Sequence, residues 1–186
     1  MGPADMEETI KLVERVKNGN TRAFWDLMAI YEEMIFRFCY RKLFNREVAE
    51  DIAYDTFIKA YEKIQSLKDN SKFKTWLFSI AKNNCLDELK RIKKFAEIPE
   101  DDSPDSLPDK KGSPEEITGV EERRQRVTRE IDKLDGIHKD VILLVHYEGM
   151  SYDEAAEVLN VPIGTVRSRL SRGFEKLHEA LKDIRG

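Results

Sequence analysis

The sequence predicts an all-α protein in which two small helical domains are joined by a flexible acidic linker. Three observations predict it. Apolar residues recur at intervals of three and four along most of the chain and nowhere alternate with period two, so helices are expected and strands are not. Glycine and proline are scarce, 9 and 6 in 186 residues, yet Pro99, Pro104, Pro108 and Pro114 crowd one stretch. Negative charge collects in that stretch as well. The formal net charge of −4 divides into +3 over residues 1–94, −8 over 95–122 and +1 over 123–186. These divisions place one domain at 1–94, the linker at 95–122 and the second domain at 123–186.

Each element has a local reason. A first helix is expected over about 6–17, ended by Asn18, Gly19 and Asn20, which tolerate a left-handed termination. Phe24, Leu27, Met28, Tyr31, Ile35, Phe38 and Cys39 share one helix face, which predicts a second helix over 21–43. Val48, Ile52, Ala53, Phe57, Ala60 and Ile64 do the same over about 47–65. Residues 66–72 contain Ser, Asp and Asn with little that is apolar and read as a loop. A further helix is expected from Phe73 through Trp76, Leu77, Ile80, Ala81 and Leu89 to about Lys94.

The prolines, acids and serines that follow cannot form a helix or a core. As a coil, 28 residues span roughly 30 Å r.m.s., so the flanks are free to sit well apart. Helicity returns from about Pro114 or Val120 to Leu134 and breaks at Asp135 and Gly136. An apolar helix is expected over 137–148, with Gly149 placed to end it. Ser151 and Glu154 stand at capping-box spacing and mark a helix over 152–159. After Asn160, Val161 and Pro162 another helix is expected over about 164–182.

Residues 152–170 have the anatomy of a helix-turn-helix: a short capped helix, a turn of about four residues and a longer basic helix. Ala155 and Ala156 are small where two helices cross closely, Asn160 suits positive φ, and Val161, Val166 and Leu170 fill the space between the helices. Thr165, Arg167, Ser168, Arg169, Ser171 and Arg172 load the early turns of the second helix with donors suited to phosphates and to guanine edges. A plain helical hairpin with a solvated basic face is the alternative for this segment taken alone.

Leu134-Asp135-Gly136, Glu148 to Ala156 (EGMSYDEAA) and Val161 to Leu170 (VPIGTVRSRL) together resemble region 4 of the extracytoplasmic-function sigma factors. Independently, Ala49 to Phe57 (AEDIAYDTF) and Phe73 to Asn84 (FKTWLFSIAKNN) resemble region 2 of the same family. The resemblance runs from about Arg22 to Leu181 with both motifs in the family's order. It implies a sigma region 2 bundle and a sigma region 4 helix-turn-helix, with the beta and beta-prime subunits of core RNA polymerase, promoter DNA and an anti-sigma factor as partners. It implies no cofactor and no chemistry of the chain's own.

Site residues follow from the same resemblance. The family docks its second region 2 helix on the polymerase clamp, which assigns Glu50, Asp51, Tyr54, Asp55 and Ile58 to that contact, with Lys59 beside them. Tyr54 and Asp55 stand where the family more often has Gln and Glu. The minus-10 element is bound as unpaired strand, which needs a base pocket, amides for base edges and cations along the backbone. Asn70, Lys72, Lys74, Thr75, Asn83 and Asn84 supply these, Asn83 at the family's base-contacting position, and Lys90, Arg91, Lys93 and Lys94 extend the basic track. Phe73 is balanced between stacking on a base and packing inside, whereas Trp76 belongs to the core. Thr165, Arg167, Ser168, Arg169, Ser171 and Arg172 are assigned to the minus-35 duplex.

Other classes fare worse. No run approaches the roughly 20 apolar residues of a membrane span, and no basic segment leads into an apolar core, so a cytoplasmic protein without membrane insertion is expected. His138, His146 and His178 show no metal-ligand spacing with Cys39 or Cys85, and no phosphate-binding glycine loop is present, which argues against an enzyme and a metal site. Both cysteines fall in apolar helical patterns and are expected as buried free thiols. A helix-turn-helix regulator with a helical sensor would usually dimerise on a palindrome and would not need the region 2 motif, so the free chain is expected to be a monomer.

Overall fold

A computed structural model of the protein describes residues 3–96 and 119–182. In the N-terminal half, α1 (Pro3–Lys17), α2 (Thr21–Leu43), α3 (Arg46–Lys63) and α4 (Phe73–Ala96) form a bundle. Asn20 caps α2 by accepting from the Ala23 amide at 3.2 Å, and Asn45 caps α3 by accepting from the Val48 amide at 3.1 Å, so each helix starts where its first free N–H groups find an oxygen. Single 3₁₀ turns at Ile64–Ser66 and Asn70–Lys72 organise the segment expected as a loop. The core joins Val13, Leu27, Tyr31, Ile35, Phe38, Ala49, Ala60, Phe73, Leu77 and Phe78, all fully buried or nearly so. Tyr31 meets Phe73, and Phe38 meets Phe78, edge to face at centroid distances of 5.4 Å. Cys39 and Cys85 are buried free thiols in this core.

The C-terminal half contains α5 (Gly119–Asp132), α6 (Gly136–Ile142), α7 (Tyr152–Leu159) and α8 (Ile163–Ala180). The single helix expected over 137–148 does not stay regular. After α6 it widens into a π turn, Leu143–Tyr147, in which the Glu148 amide donates to the Leu143 carbonyl at 3.0 Å. Gly149, at φ 62°, then reverses the chain in the left-handed region where a side chain would be strained. Val141, Leu144, Met150, Ala155, Val158, Val166 and Leu170 form the core of this half, with Val161 half-buried beside it. Gly173 lets α8 cross α6 closely, since a Cβ there would lie 3.0 Å from the Ile142 Cδ1.

Residues 97–118, the greater part of the linker expected over 95–122, lie outside the described residues. The linker length leaves the halves free to sit well apart, and the arrangement they take is a closed one. They pack together, α7 against α4 and α6 against the end of α2. Lys42 donates to Asp140, and Lys139 places its ammonium 3.7 Å from the Phe44 ring centroid. Phe44 closes α2 with φ 55°, an uncommon conformation for an aromatic residue.

Candidate promoter and polymerase interfaces

The helix-turn-helix is built by local rules. Ser151 accepts from the Glu154 amide at 3.2 Å while the Glu154 carboxylate accepts from the Ser151 amide at 2.8 Å, completing the capping box. Asn160 ends α7 at φ 53° and ψ 50°, and Pro162 precedes α8. On α8, Val166, Leu170, Gly173 and Leu177 face inward. Arg167, Ser168, Ser171 and Arg172 therefore share the solvent face, with Arg169 and Thr165 half-buried at its margin. Ser171 donates to Glu175 at 3.1 Å, so an acid borders the basic face.

The residues expected at the minus-10 element differ in burial. Asn83 and Lys90 are exposed, Lys90 with Asp87 at 3.3 Å. Arg91 pairs with both Glu88 oxygens at 2.8 and 2.7 Å, so the basic track on α4 is partly neutralised by its own helix. Phe73, Thr75 and Asn84 are buried. Phe73 packs on Tyr31 and is a core residue, which decides the balance left open by the sequence. Asn84 donates to the Thr56 hydroxyl at 3.0 Å and accepts from Lys59 at 2.6 Å, so it ties α4 to α3 and is not available to DNA. Asn70 accepts from Lys17 at 2.6 Å, and Lys17 also donates to the Leu67 carbonyl, which secures the loop to α1.

The second half of the chain contacts Lys72, Lys74 and Thr75. Lys72 donates to Glu157 of α7 at 2.5 Å, Lys74 donates to the Glu148 carbonyl at 3.1 Å, and the Thr75 hydroxyl donates to the Lys72 carbonyl at 3.0 Å with the other Glu157 oxygen 3.4 Å away. Glu157 holds the Lys72 ammonium above its ordinary pKa. Glu148 is buried, and neither carboxylate oxygen has a hydrogen-bond partner among the described residues. Burial pushes its carboxyl above the usual range, and Arg37, Arg41 and Lys74 pull it back part of the way. Arg41 lies 3.6 Å from that carboxylate and 4.0 Å from the Tyr147 ring centroid.

On the opposite side of the bundle, Glu50, Asp51, Tyr54, Asp55 and Ile58 all lie on the exposed face of α3, as expected from the sequence, and Glu50 pairs with Arg46 at 2.9 Å. Beside them runs an apolar groove of about 540 Å³ between α2 and α3, lined by Phe24, Trp25, Met28, Tyr54, Ile58 and Tyr61. Sequence reasoning missed Trp25. It is 63% exposed, one position off the apolar stripe of α2, and that displacement was the available signal.

The model of Sigma-70 region 2 matches residues 27–95, and that of Sigma-70, region 4, matches residues 124–177. The chain is 35% identical to the ECF RNA polymerase sigma factor SigW of Bacillus subtilis over 94% of its length and 97% of the relative's. The chain belongs to the extracytoplasmic-function sigma factor family. It is also 32% identical to the RNA polymerase sigma-H factor of Pseudomonas aeruginosa, covering 96% of each chain, and 31% identical to the sigma-E factor of Escherichia coli, covering 93% and 94%. In three dimensions it resembles CnrH in complex with the cytosolic domain of CnrY, with TM-score 0.71 and 25% identity over 96% of this chain and 99% of that one. A sigma factor RpoE in complex with the anti-sigma factor NepR from Bartonella quintana gives TM-score 0.68 and 25% identity over 87% and 98%. In sigma-factor terms, α1 to α4 contain region 2 and α5 to α8 contain region 4. Among the described residues no helix is long and apolar enough to cross a membrane.

Proposed function

We propose that this sigma factor directs core RNA polymerase to promoters by using three separate faces. The α3 face, with Glu50, Asp51, Tyr54, Asp55 and Ile58 beside the Trp25 groove, docks on the beta-prime clamp. Asn83, Lys72, Lys74, Thr75 and Lys90 follow the opened minus-10 strand once α7 has moved away. Arg167, Ser168, Ser171 and Arg172 enter the major groove of the minus-35 duplex while Arg169 takes flanking phosphate. An anti-sigma factor controls the chain in the cytoplasm, in keeping with the similar RpoE of Bartonella quintana, which is found in complex with the anti-sigma factor NepR. The observation that carries this reading is the segregation on α8 of Val166 and Leu170 inward from Arg167 and Arg172 outward, within a chain that also carries region 2. Transcription with core polymerase on promoter libraries randomised at each element separately tests it. Arg172→Ala or Arg167→Ala is expected to cost roughly 1–3 kcal/mol at particular minus-35 positions, and Asn83→Ala to change preference only within the minus-10 element. Crossed effects would overturn the assignment, as would tight sequence-specific duplex binding by the free chain with no gain from core enzyme.

A further inference from the structure

We infer that Lys17, the last residue of α1, is a positioning residue for the minus-10 reader: it fixes which side of the Asn70 amide the loop offers to an unpaired base. This rests on the assignment of residues 66–72 to that reader. The Lys17 ammonium donates to the Asn70 Oδ1 at 2.6 Å and to the Leu67 carbonyl, reaching across 53 and 50 residues of chain. An ammonium carries only donors, so the amide oxygen is the atom that must face it, and the NH2 group of the half-buried Asn70 points the other way. Flipped, the amide would set donors against donors. The loop therefore presents a donor, and the base it holds best is one with an acceptor on the facing edge.

The attachment is reciprocal. At the end of α1 the amides of Asn18, Asn20 and Gly19 take the carbonyls of Glu14, Arg15 and Val16, which leaves the Lys17 carbonyl for Gln65, whose side-chain amide donates to it at 2.8 Å. Ile64 and Leu67 are buried and pin the start of the loop into the core. Asp69 accepts from the amide and the hydroxyl of Ser71 at 2.9 and 2.7 Å, which tightens the turn that carries Asn70. Lys17 is itself half-buried, so water competes less for its ammonium than at an open surface. α1 lies outside the spans of both family models, 27–95 and 124–177, so the hold on the loop comes from a part of the chain that neither motif contains.

Transcription by core polymerase with the full chain, on a library randomised over the minus-10 element behind a fixed minus-35 element, tests the inference. Lys17→Met keeps the aliphatic stem and removes the donors. It is expected to lower preference for the favoured base at one minus-10 position about fivefold and to leave the other positions unchanged, while Lys17→Arg retains most of that preference. Thr9→Val, which removes the 3.1 Å hydrogen bond between α1 and Tyr31 without touching the loop, is expected to lower the thermal midpoint and keep the wild-type profile. Asn70→Ala is expected to lose preference at the same position, and Lys17→Met added to it to change nothing further, as for two residues that act through one contact. An unchanged profile in Lys17→Met beside an altered one in Asn70→Ala overturns the role of Lys17 and leaves the loop as reader. Unchanged profiles in both remove the loop from the reader, and the role of Lys17 with it. Uniform weakening of all minus-10 sequences by Lys17→Met makes the lysine a phosphate contact and overturns positioning. An equal change of profile in Thr9→Val does the same, because it traces the effect to the seating of α1.

Discussion

Adjacent asparagines on α4 carry opposite roles because one helical step of 100° separates their directions. Asn83 is exposed, while Asn84 is buried between Thr56 and Lys59. Asn84→Ala is therefore expected to cost about 1–3 kcal/mol in urea unfolding through lost hydrogen bonds and a small void, and Asn83→Ala to leave stability unchanged. Lys139 offers a pH test. Burial, opposed by Asp132 and reinforced by Lys42, lowers its pKa to about 8 from an ordinary value of 10.5. The folded chain thus binds this proton more weakly than the unfolded chain, so burying the cation costs stability in full below about pH 8, and the cost is relieved as pH rises from 8 towards 10.5. Lys139→Met should melt higher than wild type at pH 7, and the difference should shrink by pH 9.5 in thermal scans.

At the scale of elements, caps and side-chain periods decide where helices begin and end, and α7 is the clearest case. Its eight residues are too few to be stable by propensity, so the reciprocal Ser151 and Glu154 bonds matter. Ser151→Ala is expected to cost about 1 kcal/mol, read as a lower denaturant midpoint with unchanged slope. The π turn after α6 was not legible in advance. Its apolar residues, Leu143 to Val145, fit an ordinary helix, and the widened turn is visible only once the Leu143 carbonyl is seen accepting from Glu148 and Gly149 is seen reversing the chain. On α4 the cations could be counted from the sequence. Their neutralisation by Glu88 and Asp87 at spacings of three residues was equally available and is part of the same helix geometry.

At the scale of the molecule, the two sides of region 2 face different partners. One side packs on region 4, and the other presents the α2 and α3 groove with Trp25, Tyr54 and Ile58 exposed at 63, 57 and 50%. A large aromatic side chain held at the surface with acids around it has the character of an interface anchor. Trp25→Ala should weaken binding to core polymerase about tenfold in a competition assay while the thermal midpoint of the free chain stays put, since little of that side chain is buried on folding. The sequence by itself determined the all-α class, the bounds of the helices among the described residues apart from the end of α6, the helix-turn-helix with its capping box, the exposed α3 face and the direction of Arg167 and Arg172. Each of these depends on residues within a few positions of one another, whose spacing is already written in the chain. Only the tertiary structure decided that Phe73 and Asn84 are interior, that Trp25 lines a groove, and that Glu157 lies on Lys72 across a separation of 85 residues. Burial and ion pairing of that kind are set by which distant surfaces meet, and helical periodicity, which fixes a residue's direction on its own helix, carries no information about what will be packed against it.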